Sequence, residues 1–129
     1  MLFRSLYGAE SSADVKKQII SNLYSDGFSP KVAEIARTEK DPALRRIAIR
    51  TLRNFGRSND LLAGLYAGET DDQNKKEIIN GLHAKNDAKA LIDIARKETN
   101  PELKREIISR LATMKSKEAT DYMVELLSK

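Results

Sequence analysis

The sequence has no cysteine, so a disulfide, a thiolate zinc site and a thiol nucleophile are all excluded. Histidine occurs once, at His83, and a serine triad would have to recruit it. There is no strained glycine elbow around a serine and no phosphate-binding glycine loop. No constellation of an enzyme is present, and no cofactor is implied. Tryptophan is absent, and the four tyrosines and three phenylalanines are not interleaved with basic residues, so stacking platforms for single-stranded bases are missing. No apolar run approaches the ~18 residues of a membrane span. Met1-Leu2-Phe3-Arg4 is not followed by an apolar segment, so neither a membrane helix nor a signal peptide is expected, and the cytoplasm is the default compartment. Nothing alternates with period two for long enough to suggest a strand.

What is present is a balance of 40% hydrophobic and 33% charged residues with a net charge of +4. Such a chain buries a core and keeps a heavily ionised, mildly basic surface. Its 129 residues suit one compact domain.

The strongest signal is internal repetition. Blocks of acid, turn residue, basic pair and apolar doublet begin at Glu10, Glu39, Glu69 and Glu98, which lie 29, 30 and 29 residues apart, and close at Leu23, Leu52, Leu82 and Leu111 with the same offsets. Within a block the apolar residues fall at i, i+4, i+5 and i+8, as in Val15, Ile19, Ile20 and Leu23 or Leu103, Ile107, Ile108 and Leu111, which is one stripe of an α-helix. Ser12, Asp41, Asp71 and Asn100 stand where each such second helix needs an N-cap, and Pro42 and Pro101 follow as first helical residues. Gly27, Gly56 and Asn86, with Lys115 as a poorer fourth, mark the ends, where a left-handed residue is wanted.

A first helix precedes each of these, carrying Phe3, Leu6 and Tyr7, then Val32, Ile35 and Ala36, then Leu62, Leu65 and Tyr66, then Leu91, Ile94 and Ala95. Ser29, Asp87 and Ser116 read as N-caps, with Pro30 beside the first. The expectation is about nine helices: pairs at roughly 1–28, 29–57, 58–86 and 87–115, and a terminal helix over 116–129. Because Met1 aligns with Pro30, the equivalent of Ser29 is missing, so the chain reads either as a segment of a longer array or as a short protein whose first helix starts abruptly.

These blocks resemble the short variety of the HEAT-repeat family, most clearly at Asp41-Pro42-Ala43-Leu44-Arg45 followed by Ala48-Ile49 and Leu52, and the resemblance covers essentially the whole chain. It implies an all-α fold, a right-handed α-α superhelix (α-solenoid) of four helical pairs plus a C-terminal helix, with second helices on the concave face. It also implies a ladder of acid and base along the stack, at Asp41 with Arg45, Asp71 with Lys75, and Asn100 with Lys104. Lysine replaces arginine in three copies, and an ammonium cannot reproduce the guanidinium fork. Family members that bind two irons use repeated His-Glu pairs, which a single histidine excludes, and those that excise alkylated bases rely on tryptophan.

The residues singled out for binding are the doublets Lys16-Lys17, Arg45-Arg46, Lys75-Lys76 and Lys104-Arg105, one per repeat. Two readings stand: a track for nucleic acid or another polyanion, or a structural ladder with Glu10, Glu39, Glu69 and Glu98. The expected function is a non-catalytic protein-interaction scaffold or spacer with a protein or peptide partner, and polyanion binding is the alternative. Self-association through the uncapped N-terminal helix, at Leu2, Phe3 and Leu6, is a further expectation. His83 stands at a variable position near a helix end. The third repeat is unusual in holding Gly64, Gly68, Gly81, Asn74 and Asn80, which suggests a flexible joint or a close helix approach. The last helix is expected to bury Tyr122, Met123, Leu126 and Leu127 on one side as a cap.

Overall fold

The computed structural model describes residues 12–23, 26–56 and 58–128, which form eight α-helices, one turn of 3₁₀ helix and no strand. The helix expected around Phe3, Leu6 and Tyr7 lies outside the described residues, as do Glu10, Tyr24 and Lys129. The chain divides into two compact units, residues 1–58 and 59–129. In the first unit α1 (Ala13–Ser21), the 3₁₀ turn (Asp26–Phe28), α2 (Ser29–Thr38) and α3 (Pro42–Arg53) follow in order. The second holds α4 (Asn59–Tyr66), α5 (Asp72–Ala84), α6 (Ala88–Lys97), α7 (Pro101–Ala112) and α8 (Lys117–Leu127). No helix among the described residues is long and apolar enough to cross a membrane.

The helices begin where side-chain acceptors stand. Ser12 accepts from the Val15 N–H, Asp41 from Ala43, Asp71 from Asn74, Asp87 from Ala90, Asn100 from Glu102 and Leu103, and Ser116 from Ala119. Each satisfies one or two amides that the first turn leaves without a partner. Ser29 departs from expectation. The 3₁₀ turn runs straight into α2, so Phe28 takes the cap position without a side-chain bond, and Ser29 is the first helical residue and buried.

The C-terminal marks are corrected more broadly. Among the described residues only Asn86 adopts a left-handed conformation, with φ of 59°, and no glycine has a positive φ. Around Asn86 the Asp87 N–H reaches the Leu82 carbonyl at 3.0 Å and the Asn86 N–H reaches His83 at 2.9 Å, the paired bonds of a Schellman motif. Gly27 lies instead within the 3₁₀ turn. The end of α3 is closed by the buried Ser58 hydroxyl, which donates to the carbonyls of Leu52 and Phe55 at 2.7 and 3.0 Å. A hydroxyl there does the work that a left-handed glycine was expected to do.

The apolar stripes form the core. Leu44, Ala48, Ile49 and Leu52 on α3, Ile78, Ile79 and Leu82 on α5, and Leu103, Ile107 and Leu111 on α7 are all buried. First-helix positions Val32, Leu62 and Leu91 have no exposed surface. In the first unit α3 packs on both α1 and α2. In the second, α4 packs on α5 and α6 on α7 as hairpins, while α4, α6 and α8 form one row of neighbours and α5 and α7 another. Two positions leave the pattern: Val15 is 41% exposed, and Leu127 is 86% exposed while Ala119 and Tyr122 are the buried residues of α8.

Glycine at 64 and 68 is not required by packing, since an added Cβ at either meets nothing within 4 Å. A close helix approach is therefore not the reason for these glycines. In urea melts Gly64→Ala is expected to stabilise the protein by about 0.5–1 kcal/mol, by removing backbone entropy from the unfolded chain. Leu82→Ala, in contrast, is expected to cost about 2–5 kcal/mol. A destabilising Gly64→Ala, or a loss under about 0.5 kcal/mol for Leu82→Ala, would contradict this assignment of surface and core.

Candidate functional site

The periodic glutamates stand at the bend between first and second helices. Glu98 follows α6 in extended conformation, and its Oε2 accepts from the Thr99 and Asn100 amides, both at 3.0 Å. Glu69 does the same with the Thr70 and Asp71 amides at 3.0 Å. Glu39 is a looser version, its Oε1 3.4 Å from the Asp41 amide. A carboxylate is suited to this because it offers about four lone-pair sites to backbone donors that no helix satisfies. The bend is thus closed by the side chain of its own first residue.

The remaining oxygen of each carboxylate takes a different partner. For Glu39 it is the Lys16 ammonium, 3.6 Å from Oε2. For the buried Glu69 it is the Asn74 amide, which donates to Oε1 at 3.2 Å. This explains why a polar residue occupies the place of Val15, Leu44 and Leu103, for Asn74 has no exposed surface and serves the carboxylate beside it. For Glu98 it is the hydroxyl of Tyr66, which donates to Oε1, with Lys75 near enough to bias its charge.

Every basic doublet can now be located. Lys16 pairs with Glu39, and Arg45 turns back so that Nη1 donates to the Glu39 and Lys40 carbonyls at 3.0 Å, within the bend that follows α2. Lys75 stands over the Tyr66 ring, 5.4 Å from its centroid. Lys76 reaches Glu102 on α7 at 3.2 Å. Arg46 and Lys104 are half-buried, while Lys17 and Arg105 are exposed. In the Lys75–Lys76 doublet the first member thus turns to Tyr66 and the second to Glu102.

Tyr66 was legible only as a core residue. Its phenol is pushed well above its ordinary range, by burial first and then by the Glu98 carboxylate. Burial acts to raise Glu98, but the Tyr66 hydroxyl, the loop amides and the Lys75 charge outweigh it and hold the carboxyl below its usual value. The available sequence signal was spacing: Tyr7 and Tyr66 each precede a periodic glutamate by 32 residues.

His83 is half-buried and its Nε2 lies 2.7 Å from the Thr113 hydroxyl oxygen. That hydroxyl donates to the Arg110 carbonyl at 2.8 Å, so the imidazole must donate through Nε2, joining the C-terminal ends of α5 and α7. A second link, not foreseen from the sequence, holds α8. Arg96 on α6 grips Glu125 in a two-pronged pair at 2.6 and 2.9 Å and lies 5.1 Å from the Tyr122 ring centroid. Among the described residues no three His, Asp or Glu side chains converge as a metal site.

A groove of about 620 Å³ lies between α4 and α6. Ala63, Ala67, Ala90 and Ile94 supply its apolar lining, with Asp60, Asp87 and Lys89 toward the helix starts, Asp93 midway, and Lys75, Lys97 and the Tyr66–Glu98 pair toward the ends. The sequence reading put function on the second helices and missed this feature of the first. Compared with known proteins, the chain matches no family model and no curated sequence.

The titration behaviour gives a direct check. A depressed Glu98 adds stability that is complete above the unfolded glutamate pKa of about 4.3 and is lost as pH falls through the lower folded value. A raised Tyr66 adds stability below about pH 10 that declines as pH rises further. Tyr66→Phe is expected to cost about 1 kcal/mol at neutral pH, and its difference from the unmodified protein should shrink in urea melts below about pH 4. A difference that stays constant down to pH ~3 would show that the hydroxyl does not serve the ionised carboxylate.

Proposed function

We propose that this chain is a non-catalytic protein-interaction module or spacer, built as an α-solenoid of short HEAT-like helical pairs. The observation that carries this reading is the use made of its conspicuous polar residues. Glu39, Glu69 and Glu98 bind loop amides, Lys16, Arg45 and Lys75 serve those same bends, and His83 ties two helix ends together. Side chains that would otherwise suggest chemistry are committed to holding helical pairs in register. The rows α4–α6–α8 and α5–α7 support repeat-upon-repeat stacking in the second unit, and the period of 29 or 30 residues extends the same logic to the rest of the chain. An array of that kind varies its exposed residues freely while its seam stays fixed, which suits recognition of another protein.

Lys17 and Arg105, the exposed doublet members, are the observation that keeps a polyanion reading in view. Salt dependence separates the two. The interaction reading expects no saturable binding of a labelled DNA duplex at physiological salt, and recovery of the same proteins from a cell extract by the intact chain and by a Lys17→Glu, Arg105→Glu variant. Saturable duplex binding whose affinity falls steeply with salt, and which this variant loses, would overturn it.

A further inference from the structure

Charge is divided unevenly along the chain. Residues 1–58 carry eleven lysines and arginines against six acids, whereas residues 59–129 carry twelve against thirteen. The first unit is thus strongly basic and the second almost neutral, an asymmetry that bears on partners and not on folding. It is sharpest on α3, which holds Arg45, Arg46, Arg50 and Arg53 and no acid. The groove between α4 and α6, by contrast, mixes both signs and favours neither.

Within the first unit a cleft of about 360 Å³ opens between the ends of α1 and α3. Leu23, Phe55 and Ile47 give it an apolar floor, the first two as buried core side chains and Ile47 half-buried. Ser21, Arg50 and Asn54, all exposed, stand around it as hydrogen-bond donors, while the Thr51 hydroxyl donates to the Ile47 carbonyl at 2.8 Å. No carboxylate of a described residue lines it. Of the described acids of this unit, Asp14 stands in the first turn of α1, Glu34 on α2, and Glu39 and Asp41 in the bend before α3. None lies on the last turn of α1 or α3. The negative end of the α3 dipole amounts to about half a charge, which Arg50 and Arg53 in the same turn outweigh.

A carboxylate next to a bulky apolar side chain is the chemistry that such a cleft recognises. The Arg50 guanidinium carries five N–H groups in a planar fork, so a contact made inside the chain leaves donors for a two-pronged grip on a carboxylate. The apolar floor offers nothing to a phosphate backbone, but it takes an aliphatic or aromatic side chain out of water. We propose that the cleft between α1 and α3 docks an acidic segment of another protein, with a carboxylate on Arg50 and an adjacent apolar side chain against Ile47. The proposal rests on the protein-interaction reading above and names the partner's chemistry for one surface.

Fluorescence anisotropy of the intact chain tests it, with a labelled pool of short peptides in which aspartate or glutamate flanks one leucine, isoleucine, phenylalanine or methionine. The expected result is saturable binding, weakened roughly tenfold or more when the acids of the pool are replaced by their amides. Arg50→Glu, verified as folded by circular dichroism, should lower affinity by a similar factor, and Arg50→Lys by less, since an ammonium keeps the charge without the fork. Arg105→Glu, an exposed change in the second unit, should leave binding as it was. A pool that does not bind, or binding indifferent to Arg50→Glu, would overturn the proposal. If the pool does not bind yet the chain and its Arg50→Glu variant recover the same proteins from an extract, the acidic segment is ruled out while the interaction reading stands. If the chain binds only duplex DNA, both fall.

Discussion

The bend between paired helices is where this fold is most exposed to failure. A helix that ends and another that begins within a few residues leave backbone donors without helical partners, and each donor left unmet weakens the bend that positions the next helix. At Glu69 and Glu98 a carboxylate folds back over the next two amides, and Glu39 reaches the Asp41 amide more loosely. The N-cap of the following helix stands directly after, at Asp71 or Asn100, and the apolar stripe begins from there. The recurrence of glutamate at 29 or 30 residues is the sequence trace of that requirement.

A carboxylate that gives one oxygen to the loop still has another to satisfy, and here the repeats diverge. An ammonium, an amide and a phenol serve at Glu39, Glu69 and Glu98 in turn. Each substitution changes the neighbourhood consistently: the buried Asn74 replaces an aliphatic residue because Glu69 beside it needs a donor, and Tyr66 replaces alanine where its hydroxyl can reach Glu98. What looks like decay of a repeat is a set of compensated exchanges. The basic doublets belong partly to this system, which is why a regular row of positive charge in the sequence does not translate simply into a regular row of available cations.

The helical periodicity and the N-cap residues other than Ser29 were legible because both are local, depending on spacing along one helix and on a side chain reaching its own first turn. The helix ends were less so. Gly27 and Gly56 carried the right residue type, yet α1 ends earlier, at Asn22, and the end of α3 is closed by the Ser58 hydroxyl. Exposure of Leu127 was invisible because amphipathic spacing says which residues share a face and not whether anything covers it. The Tyr66–Glu98 and Arg96–Glu125 links, and the groove between α4 and α6, come from packing of α6 beside α4 and α8. The two links join residues 32 and 29 positions apart, and no local rule joins them.

The central claim is that the bend glutamates hold these repeats together through loop amides lying outside any helix. Amide hydrogen exchange, read residue by residue by NMR, addresses it most directly at Thr70, Asp71, Thr99 and Asn100. The account predicts exchange at all four well below the rate of an unstructured peptide, with Thr99 and Asn100 alone released in a Glu98→Ala variant. Exchange at the unstructured rate in the intact protein, or protection that survives removal of the carboxylate, would contradict it.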